Sequence, residues 1–157
     1  MKADFRIVGL PAAQFKPLFS LDDEELAARS ARRIRVDAKP GFPCRVSLAD
    51  AEVGEQVILL PFVHHDVDSP YRASGPIFVR QNATEAQLAP GEVPEVVSRR
   101  TMSVRAYDRN NLMLDGTVVA GSELKKHIER LFENPKTQYL QLHNAGAGCY
   151  SCKVERV

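Results

Sequence analysis

Between Gln56 and Gln81 the chain reads QVILLPFVHHDVDSPYRASGPIFVRQ, and no other stretch restricts the possible folds as strongly. Apolar runs at 57–63 and 77–79 flank a polar connector that holds His64, His65, Asp66, Asp68, Ser69, Tyr71 and Arg72. The first run is rich in Val, Ile, Leu and Phe and apolar on both alternating faces, which predicts a strand in the middle of a covered sheet. Such a strand ends where its side chains turn polar, and loops at strand ends are where sites commonly sit. Function is therefore expected around the 64–72 connector.

The rest of the chain supplies partners for that strand. Residues 5–10 form a short strand candidate stopped by Pro11. Ser20 followed by Asp22 and Asp23 predicts a helix over 21–30, with a Ser cap and acidic residues beside the free N–H groups of the first turn. Residues 32–37 alternate, placing Ile34 and Val36 on one face. Pro40 and Pro43 set a rigid turn, after which 44–48 is strand-like. The polar 81–92 stretch predicts a mobile surface loop, and 94–100 a short helix or an extended piece. Residues 101–107 and 112–119 read as a hairpin across Asp108-Arg-Asn-Asn111. Ser122 opens the clearest helix, 123–133, whose Leu124, Ile128, Leu131 and Phe132 make a stripe at helical spacing. Strands at 138–143 and 149–157 close the chain across a turn whose glycines permit positive φ. The expected fold is α+β: a single domain over 1–157, with a mostly antiparallel sheet of about six to eight strands and two helices.

Composition narrows the function classes. Net charge is +1, from 21 basic and 20 acidic residues, whereas a nucleic-acid binder shows a basic excess or patch; no nucleic-acid partner is expected. No tract approaches the ~18 apolar residues of a membrane span, and Asp4 and Arg6 interrupt any leader-like start, so no membrane partner and a cytoplasmic location are expected. Cys44, Cys149 and Cys152 are an odd number without an export signal, which predicts reduced thiols. There is no Gly-x-Ser-x-Gly elbow, phosphate loop or dinucleotide fingerprint, and no cofactor is expected. Oligomeric state is left open.

Alternation sorts the polar candidates. Tyr139, Gln141 and His143 share one face of their strand, Ser103, Arg105 and Tyr107 share one face of another, and Arg80 ends the strand that begins at Ile77. If these strands are neighbours, Arg80, Arg105, Tyr107, Gln141 and His143 line one polar surface beside Arg72 and the histidine pair. Guanidinium groups bind carboxylate or phosphate through paired charge-assisted hydrogen bonds, so the expected ligand is a small anion. His64 and His65 are adjacent and point to opposite faces of a regular strand, so one of them at most enters a given pocket; a neutral histidine oriented by a carboxylate such as Asp66 or Asp68 suits a general base. Cys149 follows His143 across the glycine turn, a spacing that allows a thiol–imidazole pair with Asn144 as orienting group. Cys149-x-x-Cys152 is half of a zinc site, completed only if His64, His65 or His143 joins it, and strand geometry turns the two thiols apart; no metal is expected.

The chain resembles a bacterial family of small proteins catalogued as domain of unknown function 1203. The likeness rests on FRIVGLP at 5–11, KPGFPCRVSL at 39–48, Ser69-Pro-Tyr-Arg72, GPIFVR at 75–80, RAYD at 105–108, His143-Asn-Ala145 and Gly148-Cys-Tyr150. The family has no assigned activity, so the resemblance carries no catalytic residue; it implies a pattern that includes Cys149 without requiring Cys152. Three readings stand: an enzyme acting on a small anionic metabolite with histidine acid/base and an arginine clamp, a non-catalytic binding module for a small acidic ligand, and a structural or interaction protein.

Overall fold

Antiparallel pairing organises the chain into two sheets. The computed structural model describes residues 4–157; residues 1–3 of the expected domain lie outside them. The strands are β1 (Phe5–Val8), β2 (Arg32–Arg35), β3 (Gln56–His65), β4 (Ala73–Arg80), β5 (Thr101–Tyr107), β6 (Met113–Ala120), β7 (Tyr139–Asn144) and β8 (Tyr150–Arg156). Helices α1 (Asp23–Ala27), α2 (Glu95–Ser98) and α3 (Leu124–Phe132) are short. One sheet has the order β1-β8-β7-β5-β6 and the other β2-β3-β4, an α+β architecture of the kind the sequence predicts.

The five-stranded sheet is two-faced because its strands alternate. Met102, Val104, Ala106, Leu140, Leu142, Cys152, Val154, Phe5 and Ile7 point one way and are buried. Onto them pack Leu124, Ile128 and Phe132 of α3 and Val96 and Val97 of α2. Each large apolar side chain buried there contributes about 1.5–3 kcal/mol, so this layer is the main source of stability. The opposite face carries Ser103, Arg105 and Tyr107, in register with His143, Gln141 and Tyr139. The end of β3 packs over that polar face and closes it from water.

Several elements differ from expectation for identifiable reasons. The first helix starts later and is shorter: Asp22, not Ser20, is its cap, with Glu25 N–H donating to Asp22 Oδ1 at 2.8 Å and Asp22 N–H to Glu25 Oε1 at 3.2 Å. This reciprocal pair satisfies two N–H groups the helix leaves free, and Ser30 at φ 58° turns the chain away. Residues 44–48 are a turn, tied to β4 by one bridge between Cys44 and Phe78. The apolar run in β3 is the middle strand of its sheet, but Pro61 and Val63 are exposed; that sheet is only three strands wide and is covered on part of its surface. The 81–92 stretch is a strap, not a free loop: Ala86 N–H donates to Val46 O and Gly91 N–H to Phe5 O, while Ala86 and Leu88 pack against the main core.

Candidate functional site

Three register irregularities gather where the two sheets meet: an extra residue in β3 between Phe62 and His65, one in β6 opposite Ala106 and Tyr107, and one in β8 opposite Leu142 and His143. An extra residue in a ladder bends the strand and re-aims its side chains, which is why such irregularities are enriched at sites. The irregularity in β3 overturns the expectation that the histidine pair faces opposite ways, although only His64 of the two lines a cavity. Both rings, not one, reach the polar face of the five-stranded sheet. His64 lies stacked on Tyr150, with centroids 5.2 Å apart and planes 8° from parallel, and His65 sits 4.3 Å from the Tyr107 ring.

Gln141 lies between the His64 and His143 imidazoles. Its Nε2 donates to His64 O at 2.8 Å, and its Oε1 accepts from His64 Nδ1–H at 3.0 Å. His143 Nε2 stands 3.2 Å from the same Oε1, while His143 Nδ1–H donates to Gly148 O at 3.0 Å. His143 is wholly buried. Burial pushes it down to about 3; the Gly148 carbonyl opposes the shift, and Arg105, His64 and His65 reinforce it. His64 is held below its usual range, first by burial, with Gln141 opposing and His65 and Arg105 adding to the effect. Both rings are thus neutral near pH 7, and each keeps Nε2 as its lone-pair nitrogen.

A second arm is built around Tyr139. Its hydroxyl lies 2.6 Å from His65 Nε2 and donates to Asn111 Oδ1 at 2.7 Å, and His65 Nδ1–H donates to Tyr71 O at 2.8 Å. Burial raises the Tyr139 phenol to about 12, with Tyr107 and Asp108 adding, so it stays a neutral donor. Tyr139→Phe is expected to cost about 1–3 kcal/mol, the penalty for groups left unpaired in a protein interior. Urea denaturation of the two proteins measures it; an unchanged midpoint would mean that water replaces the hydroxyl.

The thiol belongs to the β7–β8 hairpin. Gly148 at φ 82° closes the turn, donating its N–H to Asn144 O at 2.7 Å, and this delivers Cys149 to the start of β8. Cys149 Sγ accepts from Asn144 Nδ2 at 3.3 Å and from Arg45 Nη2 at 3.4 Å. Arg45 is only 3% exposed. Its Nε donates to Tyr150 O at 2.7 Å and its Nη1 to Pro43 O at 2.5 Å. Burial pulls the guanidinium below its ordinary range; Cys149 opposes this most, then Cys44 and Cys152. Among the described residues no carboxylate answers the Arg45 charge. Two cavities flank the thiol. One, of about 430 Å3, lies between Leu59, His64, Pro76 and Tyr150. The other, of about 600 Å3, lies between Pro43, Arg100, Thr101 and Asn144. Arg45, Phe78, Ala147 and Cys149 line both.

The fold brings together His64, His65, Arg105, Tyr107, Gln141 and His143, with Cys149 beside Tyr150. It removes two of the arginines expected there. Arg80 belongs to the other sheet and forms a paired contact with Glu55 at 2.7 and 2.9 Å, because β4 pairs with β3 and not with β5. Arg72 is an exposed partner of Asp66 at 2.6 Å. Arg105 stays at the site, half-buried, with Nε 3.4 Å from Ser103 Oγ. The expected His143–Cys149 pair does not form, since Gly148 O occupies His143 Nδ1. Cys152 turns into the core, where burial raises it to about 12, and Cys44 is a buried acceptor of the Ser47 and Arg80 N–H groups. The residue that sequence reasoning missed is Arg45. Its only local signal was its position between Cys44 and Val46, both of which are buried.

No group of three or more His, Cys, Asp or Glu side chains suited to a metal ion occurs among the described residues. Among them, no helix is long and apolar enough to cross a membrane. Fold and site together define an α+β protein with a cysteine held by a buried arginine beside two neutral histidines, one of which, His64, is hydrogen-bonded to Gln141. The chain belongs to the family described as Protein of unknown function (DUF1203), which matches residues 41–156 and so spans Arg45, the histidines and Cys149. No curated protein and no solved structure matches it.

Proposed function

We propose that this chain is a small enzyme acting on a small anionic metabolite, with Cys149 as nucleophile, Arg45 as the cation that holds charge at the sulfur, and His64 as acid/base. The observation that carries the reading is the buried Arg45 guanidinium without a carboxylate partner. Buried charges are costly unless paired; the Tyr150 and Pro43 carbonyls satisfy two of the Arg45 N–H groups, and the groups at hand to carry an opposing charge are the Cys149 sulfur and an anion entering the cavities. Thiolate, not thiol, is the nucleophile, and reactive cysteines sit in electropositive, partly exposed settings. Cys149 is the thiol in such a setting, whereas Cys44 and Cys152 are buried. His64, with Nδ1–H committed to Gln141, keeps Nε2 to exchange a proton with a bound substrate. Free thiols fit a reducing, cytoplasmic location. The second reading is a non-catalytic module in which a bound acidic ligand answers Arg45 and the thiol stays idle.

Parallel alkylation with iodoacetate and iodoacetamide tests this. Anionic reagents react more slowly than neutral ones with an isolated thiolate, and a positive site reverses the preference. Site-resolved mass spectrometry is expected to show Cys149 labelled first and iodoacetate favoured there relative to a free cysteine peptide. Labelling of Cys149 no faster than Cys44 and Cys152 would remove the nucleophile and leave the binding module.

A further inference from the structure

We infer that Cys149 is worked from two sides, moving an acyl group from an activated donor in the smaller cavity to a thiol or amine acceptor in the larger one; this rests on the cysteine-nucleophile reading above. The geometry behind it is the shared lining: Arg45, Phe78, Ala147 and Cys149 border both cavities, and Cys149 carries the nucleophilic atom among them. The smaller chamber presents Leu59, Pro76 and Phe78 beside the stacked His64 and Tyr150 rings, a wall suited to a short apolar acyl chain. The larger chamber is built from Pro43, the strand ends Thr101 and Asn144 and the turn residues 145–147, and its second cation, Arg100, is already answered by Asp50 at 2.8 Å. That chamber suits a small polar molecule.

The sulfur's partners are N–H donors, Arg45 Nη2 and Asn144 Nδ2. They stabilise negative charge but are no acids, and His64 on the same wall is neutral with Nε2 as a lone pair, so it can accept a proton but has none to give a leaving group. The donor must therefore lose a group stable as an anion, which selects thioesters and aryl esters over amides and alkyl esters. In the first half-reaction the Cys149 sulfur attacks the acyl carbon, an S–C bond forms, and the leaving group departs with its electron pair. In the second, the acceptor's sulfur or nitrogen attacks the same carbon. The Cys149 S–C bond breaks with its electrons returning to sulfur, and the acceptor proton passes to water in the open chamber. Nothing is oxidised or reduced.

Two glycines allow each chamber to be filled separately. A Cβ at Gly75, in the smaller chamber, or at Gly146, in the larger, meets nothing within 4 Å, so a larger side chain can begin at either without a clash at its first atom; melting curves of the tryptophan variants check that the fold is kept. p-Nitrophenyl butyrate is the donor probe and cysteamine the acceptor. The expected result is one nitrophenolate released per chain in a burst, one butyryl group on Cys149 by mass spectrometry, and faster discharge of the isolated adduct on adding cysteamine. Gly75→Trp should slow acylation, and Gly146→Trp cysteamine-dependent discharge, each at least about tenfold more than the other half-reaction, a difference of about 1.4 kcal/mol in barrier. If both variants slow the same step equally, or if cysteamine does not accelerate discharge, the transfer reading falls and a one-sided hydrolase remains. If Cys149 alkylates rapidly but never acylates, the acyl chemistry is wrong and the nucleophile stands. If Cys149 is inert to every reagent, the underlying reading fails as well.

Discussion

Arg45→Met is expected to slow alkylation of Cys149 by about ten- to a hundredfold, because a hydrogen bond to a charged group is worth about 1.5–3 kcal/mol and each 1.36 kcal/mol is a decade in rate. Methionine replaces the aliphatic stem of Arg45 but not its three N–H contacts to Cys149, Tyr150 O and Pro43 O. The buried Tyr150 carbonyl and the half-buried Pro43 carbonyl then lose their donor, at up to about 1–3 kcal/mol each. Removing a buried charge that has no carboxylate partner offsets part of that loss, since desolvating an ion is itself expensive. The net change in unfolding free energy is expected to be smaller than the change in reactivity, and the variant to fold. Arg45→Lys separates charge from geometry: an ammonium keeps the charge but lacks the planar fork that reaches three acceptors at once. It should retain part of the Cys149 reactivity while losing stability. Rates from site-resolved mass spectrometry and unfolding free energies from urea titration decide the matter. A folded Arg45→Met protein whose Cys149 reacts as fast as before would end the role of Arg45 as counter-cation.

How the site could be read from the chain depended on which rule governed each residue. Alternation placed Arg105, Tyr107, Tyr139, Gln141 and His143 on the polar face, because β5 and β7 are regular over that stretch and pair directly. The same rule misled at His64 and His65, where a register shift breaks the period of two and nothing in VHHDV announces it. Arg80 shows a different failure. Its strand parity was right, but strand parity does not say which sheet a strand joins, and pairing with β3 placed it against Glu55. Arg45 was invisible because its value lies in a contact with Cys149 more than a hundred residues away, and local pattern carries no signal across that distance. The first helix was misplaced for a local reason: Ser20 and Asp22 are both good caps, and the Asp22–Glu25 reciprocal pair decided between them.

Acid is expected to destabilise the protein well before its carboxylates titrate, and His143 is the main cause. In the unfolded chain this imidazole takes up a proton near pH 6.5, whereas in the folded protein burial delays uptake to about 3. Below pH 6.5 the unfolded state therefore binds more protons, and stability falls with falling pH by up to about 1.4 kcal/mol per unit for this one group. Its contribution is fully present above pH 6.5 and is lost progressively as pH falls toward 3. The charged and titratable groups acting on the ring agree with that sign: Arg105 from β5 and His64 and His65 from β3 all disfavour a further positive charge, and the oxygens of Gly148 and Gln141 favour it. His64 is shifted in the same direction and adds to the slope. Glu55, held low by Arg80, also loses stability in acid, but from below its ordinary value of 4.5. The interval between 6.5 and about 4.5 therefore isolates the histidines. His143→Asn is the comparison, because its side-chain amide can still donate to Gly148 O but does not titrate. Urea unfolding at several pH values across that interval should show a steep decline for the native protein and a flatter one for the variant. Parallel declines would mean that His143 is charged in the folded state. Its contact with Gln141 Oε1 would then be an imidazolium hydrogen bond, and the lone pair assigned to its Nε2 would not exist.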